Sequence, residues 1–303
     1  MKSIRIFITI LIGLLGSAAQ SQNADIRQIG TITNPALSEI SGIAPSRQYA
    51  DRLWCVNDGE NPPSLYSIGL NGELLETWNV QNVVNDDWED IGWIDRKGES
   101  YLFIADVGDN DAKRVFVRIH LIRSEDLKSD GTSTRYKTKP TYSFAFQYED
   151  GPRDCEAVSY DSDGDRLLLV SKRTKPPILY ALSLHPLDAK ILRTANRLIH
   201  IKGFTSTTGA NSIATRLAER AYKPTAMDLS PFANYAAVLT YGPILLYKRD
   251  PGTDWPAAFS RKPMEIQLPL LRQSESVCFS RDGKSIYMTS ENVPAPIFRV
   301  NLK

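Results

Sequence analysis

The stretch EAVSYDSDGDRLLLVSKRTKPPILYALSL, residues 156–184, contains the pattern that decides the fold. Short apolar runs alternate in it with polar turns: EAVSYD, RLLLVSK and ILYALSL are separated by segments rich in Asp, Gly, Lys and Pro. Short apolar runs with β-branched and aromatic side chains, bounded by turn residues, are typical of antiparallel strands. The stretch therefore predicts consecutive strands of one small sheet.

The same order of strands recurs along the chain, and the repeats begin at Glu39, Glu89, Glu156, Thr225 and Glu275. A fourth strand follows in most repeats. The last repeat reaches the end of the chain first, and IRQIGTITN, residues 26–34, can supply its missing strand. Units of four strands closed in this way predict an all-β protein, a β-propeller of five blades in a single domain, residues 20–303. A six-bladed propeller and a β-sandwich are the alternatives.

Two segments interrupt the repeat. Residues 124–139 are polar and predict a loop. Residues 205–222 predict a helix, because Ile213, Leu217 and Ala221 share one face while the charged residues lie on the other.

The N-terminus is typical of a leader segment. Lys2 and Arg5 precede the apolar stretch of residues 6–16, and the small residues of SAA, 17–19, provide a cleavage site. The sequence therefore predicts a signal peptide at residues 1–19 and a secreted or periplasmic protein without a membrane span after cleavage. An uncleaved anchor helix is the alternative.

Charge and cysteine content exclude some classes of protein. The chain has 36 basic and 35 acidic residues, so nothing favours nucleic-acid binding, which normally shows a basic surplus. The chain contains Cys55, Cys155 and Cys278. An odd number leaves at least one thiol unpaired, and all lie in apolar runs, so we expect buried free thiols rather than a disulfide scaffold. A monomer is expected.

Polar residues cluster at particular strand ends. In a propeller the starts of the first strands and the ends of the second strands surround the central channel, so their side chains meet at one mouth. Carboxylates and amides gathered there are candidate metal ligands. The metal candidates are Glu39, Asp58, Glu89, Asp106, Asp109, Asn110, Glu156 and Glu275.

The donor types favour a hard cation. Crowded carboxylates must either take up protons or share a cation. His120, His185 and His200 fall away from the mouth, so oxygen donors prevail, and these suit Ca²⁺ before Mg²⁺. Ca²⁺ is therefore the expected cofactor, with Glu89 and Asp106 as candidate catalytic residues.

Basic residues come from the third repeat. Arg153, Lys172, Arg173 and, from the fourth repeat, Tyr241 are candidates for binding a small anionic ligand, because Arg suits carboxylate and phosphate groups. Each candidate has a structural alternative. The recurrent Glu can bond the backbone of a neighbouring blade, Asp and Asn can build tight loops, and Lys172 with Arg173 can be a solvated pair.

Other motifs are absent or misleading. DSDGD, residues 161–165, lacks the Gly and Glu positions of a calcium loop and predicts a hairpin turn. No His is placed to activate a Ser at the mouth, so a Ser-His-Asp hydrolase is not expected there.

The motifs DWEDI, IADVGDN, DGPRDCEA, SKR, TYG and SEN, in this order, resemble a group of uncharacterised secreted bacterial propellers over nearly the whole mature chain. More loosely, the chain resembles phytase-like and gluconolactonase-type propellers. That resemblance implies divalent metal binding and metal-assisted hydrolysis of phosphate esters or lactones. The alternative is a non-catalytic module that binds a protein or glycan partner at the cell surface.

Overall fold

The computed structural model describes residues 24–204, 219–269, 271 and 273–302. The leader expected at residues 1–19 and most of the helix expected at 205–222 lie outside them, although 219–221 are helical. Within the described ranges, no helix combines the length and the apolar character that a membrane span requires.

The strands form antiparallel sets of four, each of which is one blade; a parallel pair of outer strands also joins the second and third blades into one eight-stranded sheet. After β1 (Asp25–Ile32) and a 3-10 helix (Pro35–Leu37), the first blade consists of β2 (Ile40–Pro45), β3 (Arg52–Asn57), β4 (Ser64–Gly69) and β5 (Leu74–Val80). The second consists of β6 (Trp88–Arg96), β7 (Glu99–Asp106), β8 (Val117–Arg123) and, after a 3-10 helix (Ser124–Leu127) and β9 (Arg135–Thr138), β10 (Tyr142–Tyr148).

The remaining blades repeat this order. The third contains β11 (Cys155–Asp161), β12 (Arg166–Ser171), β13 (Ile178–Ser183) and β14 (Arg193–His200). The fourth contains β15 (Pro224–Leu229), β16 (Tyr235–Thr240), β17 (Ile244–Lys248) and, after helix α1 (Trp255–Phe259), β18 (Met264–Ile266). The fifth contains β19 (Ser274–Phe279), β20 (Ser285–Ser290) and β21 (Ala295–Asn301), with β1 as its outer strand.

The blades close into a ring. The first strand of every blade contacts the first strand of the next, in the order β2, β6, β11, β15, β19 and back to β2. β1 pairs antiparallel with β21 from Asp25 opposite Asn301 to Ile32 opposite Ala295. The propeller fold is therefore confirmed, and the N-terminal strand completes the last blade as the sequence predicted.

Apolar side chains fill the spaces between neighbouring blades rather than a single centre. Phe103 of the second blade and Leu169 of the third share one such cluster, and four further clusters fill the other spaces. Cys55, Cys155 and Cys278 are buried free thiols in these clusters or beside them, which confirms the expectation from their number and context.

The predicted loop at residues 124–139 is partly wrong, because it contains a strand. β9 pairs in parallel with β5 and so extends the first blade to five strands. Tyr136 of β9 stacks on Trp78 with ring centroids 4.6 Å apart. This aromatic contact joins the insertion of the second repeat to the first blade. The polar composition of residues 124–139 did not indicate it.

Two carboxylates, the buried Asp90 and the partly buried Asp228, link the blades around the central channel below the mouth. Asp90 accepts hydrogen bonds from the backbone N–H groups of Val158 at 2.9 Å and Met227 at 3.4 Å, in two other blades. Asp228 accepts from the N–H group of Phe279 at 2.8 Å and from the Ser159 hydroxyl at 3.1 Å. These bonds tie the first strands together around the axis.

Candidate functional site

Every first strand has a β-bulge at the same place, next to the channel mouth. The pairing of the first and second strands skips one residue in each blade, and the skipped residues are Ser41, Glu89, Glu156, Thr225 and Glu275. A bulge breaks the alternation of side chains and re-aims one of them. Four of these five side chains, all but Thr225, line the cavity at the channel mouth.

This register corrects the sequence alignment of the first repeat. Ser41, and not Glu39, occupies the position equivalent to Glu89. The Ser41 hydroxyl donates to the carbonyl of Trp88 at 2.7 Å, and the Thr225 hydroxyl donates to the carbonyl of Ser274 at 2.7 Å. Hydroxyl groups at bulges thus bond neighbouring blades, which a carboxylate cannot do with a carbonyl.

Two further sets of side chains complete the mouth. The residues two positions before each bulge are Glu39, Asp87, Asp154, Lys223 and Gln273. The residues that directly follow the second strands are Asp58, Val107, Lys172, Tyr241 and Glu291. Together with the bulge residues, most of these surround a cavity of about 450 Å³.

The cavity has both acidic and basic walls. Its lining contains Glu39, Ser41, Asp58, Glu89, Asn110, Glu156, Lys172, Arg173, Arg220, Lys223, Tyr241, Gln273, Glu275 and Glu291. Nine of the twelve residues predicted for the site therefore line this cavity. The tertiary structure brings acidic side chains from four blades into one mouth, together with basic side chains from the third and fourth repeats.

The acidic wall centres on Glu89. Its side chain is only 6% exposed, and no residue in the described part of the chain donates a hydrogen bond to it. One oxygen each from Asp58, Asp87 and Glu89 lie within 4.8 Å of one another. Buried carboxylates normally have hydrogen-bond or ionic partners, so a cation bound at this cluster would stabilise its negative charge.

The electrostatics of the cluster support this view. Burial, followed by the charges of Glu156, Asp58 and Asp87, raises the pKa of Glu89 well above its usual range. Burial and a carboxyl–carboxyl contact with Asp58 raise the pKa of Asp87 to about 7. A bound cation would remove both penalties.

Gly108 allows the carboxylates to approach so closely. A Cβ atom at Gly108 would lie 2.3 Å from Oε1 of Glu89 and 2.4 Å from Oδ2 of Asp87. The glycine of the DVGDN segment therefore provides space for the cluster.

Two of the three carboxylates in a second acidic cluster already have cationic partners. Oxygens of Glu89, Asp154 and Glu156 also lie within 4.8 Å of one another. However, Lys172 pairs with Glu156, and Nε of Arg173 lies 2.5 Å from Oδ2 of Asp154. Burial disfavours the charge on Lys172, but Glu156 and Glu275 outweigh it and raise its pKa. Lys172 is thus a buried ion-pair partner and not part of a solvated pair.

The fourth and fifth blades contribute the opposite wall. Nζ of Lys172 lies 5.0 Å from the centre of the Tyr241 ring. Glu291 accepts a hydrogen bond from Gln273 at 2.7 Å, and burial followed by the charge of Glu275 raises the pKa of Glu291 to about 8. At the rim, Glu39 accepts a hydrogen bond from Asn61 at 2.6 Å.

Cations crowd the side of the mouth next to the third blade. A second cavity of about 550 Å³ adjoins it and is lined by Lys172, Arg173, Lys175, Arg220 and Lys223 among others. Burial, followed by the charges of Arg173 and Lys172, lowers the pKa of Lys223. This repulsion would be relieved by a bound anion.

Three predicted site residues, Asp106, Asp109 and Arg153, do not line the mouth, contrary to the expectation from the sequence. Asp106 bonds Arg114 at 2.7 Å and the backbone N–H of Asp87 at 3.1 Å. Burial opposes its charge, but His120 and Arg114 outweigh burial and lower the pKa of Asp106. The reason is strand alternation: the following position, Val107, is the one equivalent to Asp58, so Asp106 faces the other way.

The other two have local partners. Asp109 accepts hydrogen bonds from the backbone N–H groups of Lys113 and Arg114, both at 2.8 Å, and so closes its own loop. Arg153 pairs with Asp150 at 3.0 Å and donates to the Tyr180 hydroxyl at 3.0 Å. Asn110, in contrast, reaches the mouth, where its amide oxygen accepts from Arg173.

Asp87 and Asp154 are absent from the candidate ligands named above, although the sequence places their segments, NDDWED and DGPRDCE, at the mouth. Both stand two positions before a bulged glutamate, in DWE and DCE. The repeated Asp-x-Glu spacing was a usable signal. The predicted turn at residues 161–165 is confirmed, since residues 162–165 form the turn between β11 and β12.

The chain is similar to one described family and to several solved structures. A family model described as SdiA-regulated matches residues 18–212. No curated protein matches the chain significantly. Similar solved structures include a gluconolactonase from Xanthomonas campestris, 10% identical, with a TM-score of 0.47 over 94% of this chain and 91% of that one. A 6-phosphogluconolactonase candidate from Bacteroides uniformis is 15% identical, with a TM-score of 0.39 over 93% and 80%. Similarity this low carries no argument about activity.

Proposed function

The chain belongs to the SdiA-regulated family, and from this premise we propose that it is a secreted propeller that binds a divalent cation and a small anionic ligand side by side at the channel mouth. The family description contains no activity, so the function must be argued from the site itself. The proposed cation is calcium, and its proposed ligands are Asp58, Asp87 and Glu89.

One observation carries the proposal. Glu89 is almost fully buried, has no hydrogen-bond partner among the described residues, and is aimed by its bulge at two further carboxylates. An isolated buried carboxylate is strongly disfavoured unless it is paired or coordinates a metal ion. The bulge positions of the first and fourth blades, Ser41 and Thr225, bond backbone carbonyls instead, so a purely structural role does not require Glu at this position.

Calcium fits the donors better than a softer metal. The lining of the mouth offers carboxylate, amide and hydroxyl oxygens, and no His or Cys occurs in it. Calcium accepts such oxygen sets with irregular geometry, whereas Zn²⁺ prefers His and Cys. We place the ion at Asp58, Asp87 and Glu89 because the Asp154 and Glu156 carboxylates already pair with Arg173 and Lys172.

The basic wall supports an anionic ligand. Arg220 and Lys223 line the cavity opposite the acidic cluster. Ca²⁺ and these cations together would hold a carboxylate or phosphate group between them. If the protein is a hydrolase, the cation would supply polarisation of a phosphate ester or lactone and activation of water, while the basic side chains would orient the anionic group.

The test is calcium-dependent stability. Thermal unfolding is measured with excess CaCl₂ and with EDTA, and calcium binding by titration calorimetry. A ligand at about 100 times its Kd adds about 2.7 kcal/mol, which raises the Tm of a domain of this size by roughly 5 °C. Glu89→Gln should abolish the rise. It should also increase stability in EDTA, because the amide removes a buried charge.

The control is Asp163→Asn. Asp163 lies in the hairpin turn between β11 and β12 of the third blade, at the end away from the mouth, where it pairs with Arg249 at 2.6 Å. The calcium effect should therefore remain. Phosphoester and lactone substrates are then screened with the calcium-loaded protein. The proposal would be contradicted if calcium did not change the Tm and none of these substrates were cleaved. That result would favour a non-catalytic module for a protein or glycan partner.

A further inference from the structure

A second constellation lies on the flank of the second blade, away from the mouth. Oγ of Ser143 lies 2.6 Å from Nδ1 of His120. On the other side of the same ring, Nε2 of His120 lies 3.9 Å from Oδ2 of Asp106. We propose that Ser143 is a nucleophile activated by His120, in a site that cleaves small carboxylic esters without a metal ion.

The sheet places the three side chains in one row. Ser143 of β10 lies directly opposite His120 of β8, and Ile104 of β7 lies opposite His120 on its other side. Asp106 stands two residues beyond Ile104, so its side chain is on the same face of the sheet. His120 therefore stands between a hydroxyl group and a carboxylate, which is the arrangement of a nucleophile, its base and an orienting acid.

Burial differs along the row in the way this chemistry requires. His120 is 2% exposed and Asp106 is 1% exposed, whereas Ser143 is exposed to solvent. Nε2 of His120 and Oδ2 of Asp106 have no hydrogen-bond partner within the described residues. They face each other, so a small rotation of either side chain would form the missing bond. Asp106 is a positioning residue here, held by Arg114 at 2.7 Å.

A cavity opens in front of Ser143. It measures about 460 Å³ and is lined by Asn82, Val83, Val84, Asp86, Asp106, Arg118, His120 and Ser143. Val83 and Val84 provide apolar surface for a short acyl chain. Arg118 stands two residues before His120 on β8, on the same face, and it lines the cavity, where its Nη1 pairs with Asp86 at 3.2 Å. Its remaining N–H groups would donate to an oxyanion.

The reaction balances with water as the only co-reactant. As Oγ of Ser143 bonds to the acyl carbon, its proton passes to Nδ1 of His120. The tetrahedral oxyanion then collapses, the bond from carbon to the alcohol oxygen breaks, and His120 returns the proton to that oxygen. Water attacks the acyl-serine by the same route, which releases a carboxylic acid and restores Ser143.

The first experiment uses the full chain and a fluorescent fluorophosphonate probe. The wild type should be labelled at Ser143, and Ser143→Ala should lose the label. The matched control is Ser133→Ala, an exposed serine whose hydroxyl bonds the backbone of Arg135 at 3.0 Å, and it should be labelled like the wild type. Labelling should not change with EDTA, which separates this site from the calcium proposal.

The second experiment measures activation directly. In Ser143→Cys, iodoacetamide should alkylate the new thiol roughly 10-fold faster at pH 7 than the thiol of Ser133→Cys, because a neighbouring His stabilises the thiolate. Adding Asp106→Asn to Ser143→Cys should move the pH dependence of alkylation upwards, towards that of an ordinary thiol. The native thiols are buried and should not interfere.

The outcomes are distinct. Probe labelling that survives Ser143→Ala, absence of labelling in the folded wild type, or equal alkylation of the thiols at positions 143 and 133 would each overturn the proposal. Loss of labelling in Ser143→Ala together with fast alkylation of Ser143→Cys would support it.

Discussion

At the residue scale, the mouth depends on single positions that a bulge turns towards the axis. Glu89, Glu156 and Glu275 share this position with Ser41 and Thr225. The hydroxyl residues bond the next blade, whereas Glu156 pairs with Lys172 and Glu89 has no such partner among the described residues. The same β-bulge thus positions side chains that bond a neighbouring blade and side chains that we propose to bind a ligand.

We expect Gly108→Ala to disrupt the acidic cluster. Its Cβ would overlap Oε1 of Glu89 at 2.3 Å, so the carboxylates must move apart. Overpacking of this kind costs about 1–3 kcal/mol, and the calcium-induced rise in Tm should be lost. Thermal unfolding with CaCl₂ and with EDTA measures both effects.

The control for this variant is Gly98→Ala. Gly98 has a positive φ of 81°, and a Cβ there meets nothing within 4 Å. The alanine therefore introduces backbone strain without touching the cluster. An equal loss of the calcium effect in both variants would show that general destabilisation, and not the contact with Glu89, is the cause.

At the element scale, β9 shows how an insertion becomes part of a neighbouring blade. Its parallel pairing with β5 covers the outer edge of the first blade, and exposed edges are prone to pair with other chains. The contact between Tyr136 and Trp78 holds the strand in place. An insertion in one repeat therefore supports another repeat.

We expect Tyr136→Ala to destabilise the protein by about 2 kcal/mol, because the half-buried ring loses its stacking on Trp78. Urea unfolding measures the change. Tyr136→Phe keeps the ring and removes only the two hydrogen bonds of the exposed hydroxyl, to Asp130 at 3.1 Å and from the backbone N–H of Ser133 at 3.2 Å, so its stability should stay close to that of the wild type. A large loss in the phenylalanine variant would assign the effect to the hydroxyl.

At the scale of the whole molecule, closure of the ring and the bonds across its axis hold the blades together. Ile32, at the end of β1, is fully buried in the apolar cluster between the fifth and first blades. We expect Ile32→Ala to cost about 2–5 kcal/mol through the cavity it leaves. Arg27→Ala, on an exposed part of β1, is the control and should change the free energy of unfolding by less than about 0.5 kcal/mol. Equal effects would mean that β1 contributes little to closure.

We also expect the stability of the protein to depend on pH through the carboxyl group of Asp228 near the channel axis. Burial raises the pKa of Asp228 from 3.8 to about 6, although hydrogen bonds oppose the shift. The folded state therefore binds this proton more tightly than the unfolded state. The contribution to stability is complete below about pH 4 and is lost as pH rises through 6, a loss of roughly 3 kcal/mol.

Asp228→Asn should remove this dependence. Its unfolding free energy should equal that of the wild type near pH 3.5 and exceed it at pH 7, because Asn stays neutral in the same place. Asp165→Asn is the opposite control. A hydrogen bond from Arg96 lowers the pKa of Asp165, so this variant should lose stability at pH 7 and not at low pH. Unfolding curves between pH 3.5 and 7 test both signs.

The sequence by itself determined the propeller, its closure by the N-terminal strand and the identity of the region that forms the mouth. These follow from local information: short apolar runs, turn residues between them and their regular repetition. The first-strand acids of the second, third and fifth repeats could be placed at the axis because strand direction fixes which ends converge.

Only the tertiary structure decided which acids face one another. A shift of one residue reverses the side of a strand, so the Asp106 side chain faces His120 instead of the mouth. For the same reason, Ser41 rather than Glu39 occupies the bulge position of the first blade. Likewise, β9 joined the neighbouring first blade through its parallel pairing with β5 and the contact between Tyr136 and Trp78. Side-chain direction depends on bulges and on pairings between residues far apart in the chain, and the sequence periodicity within one repeat reveals neither of them.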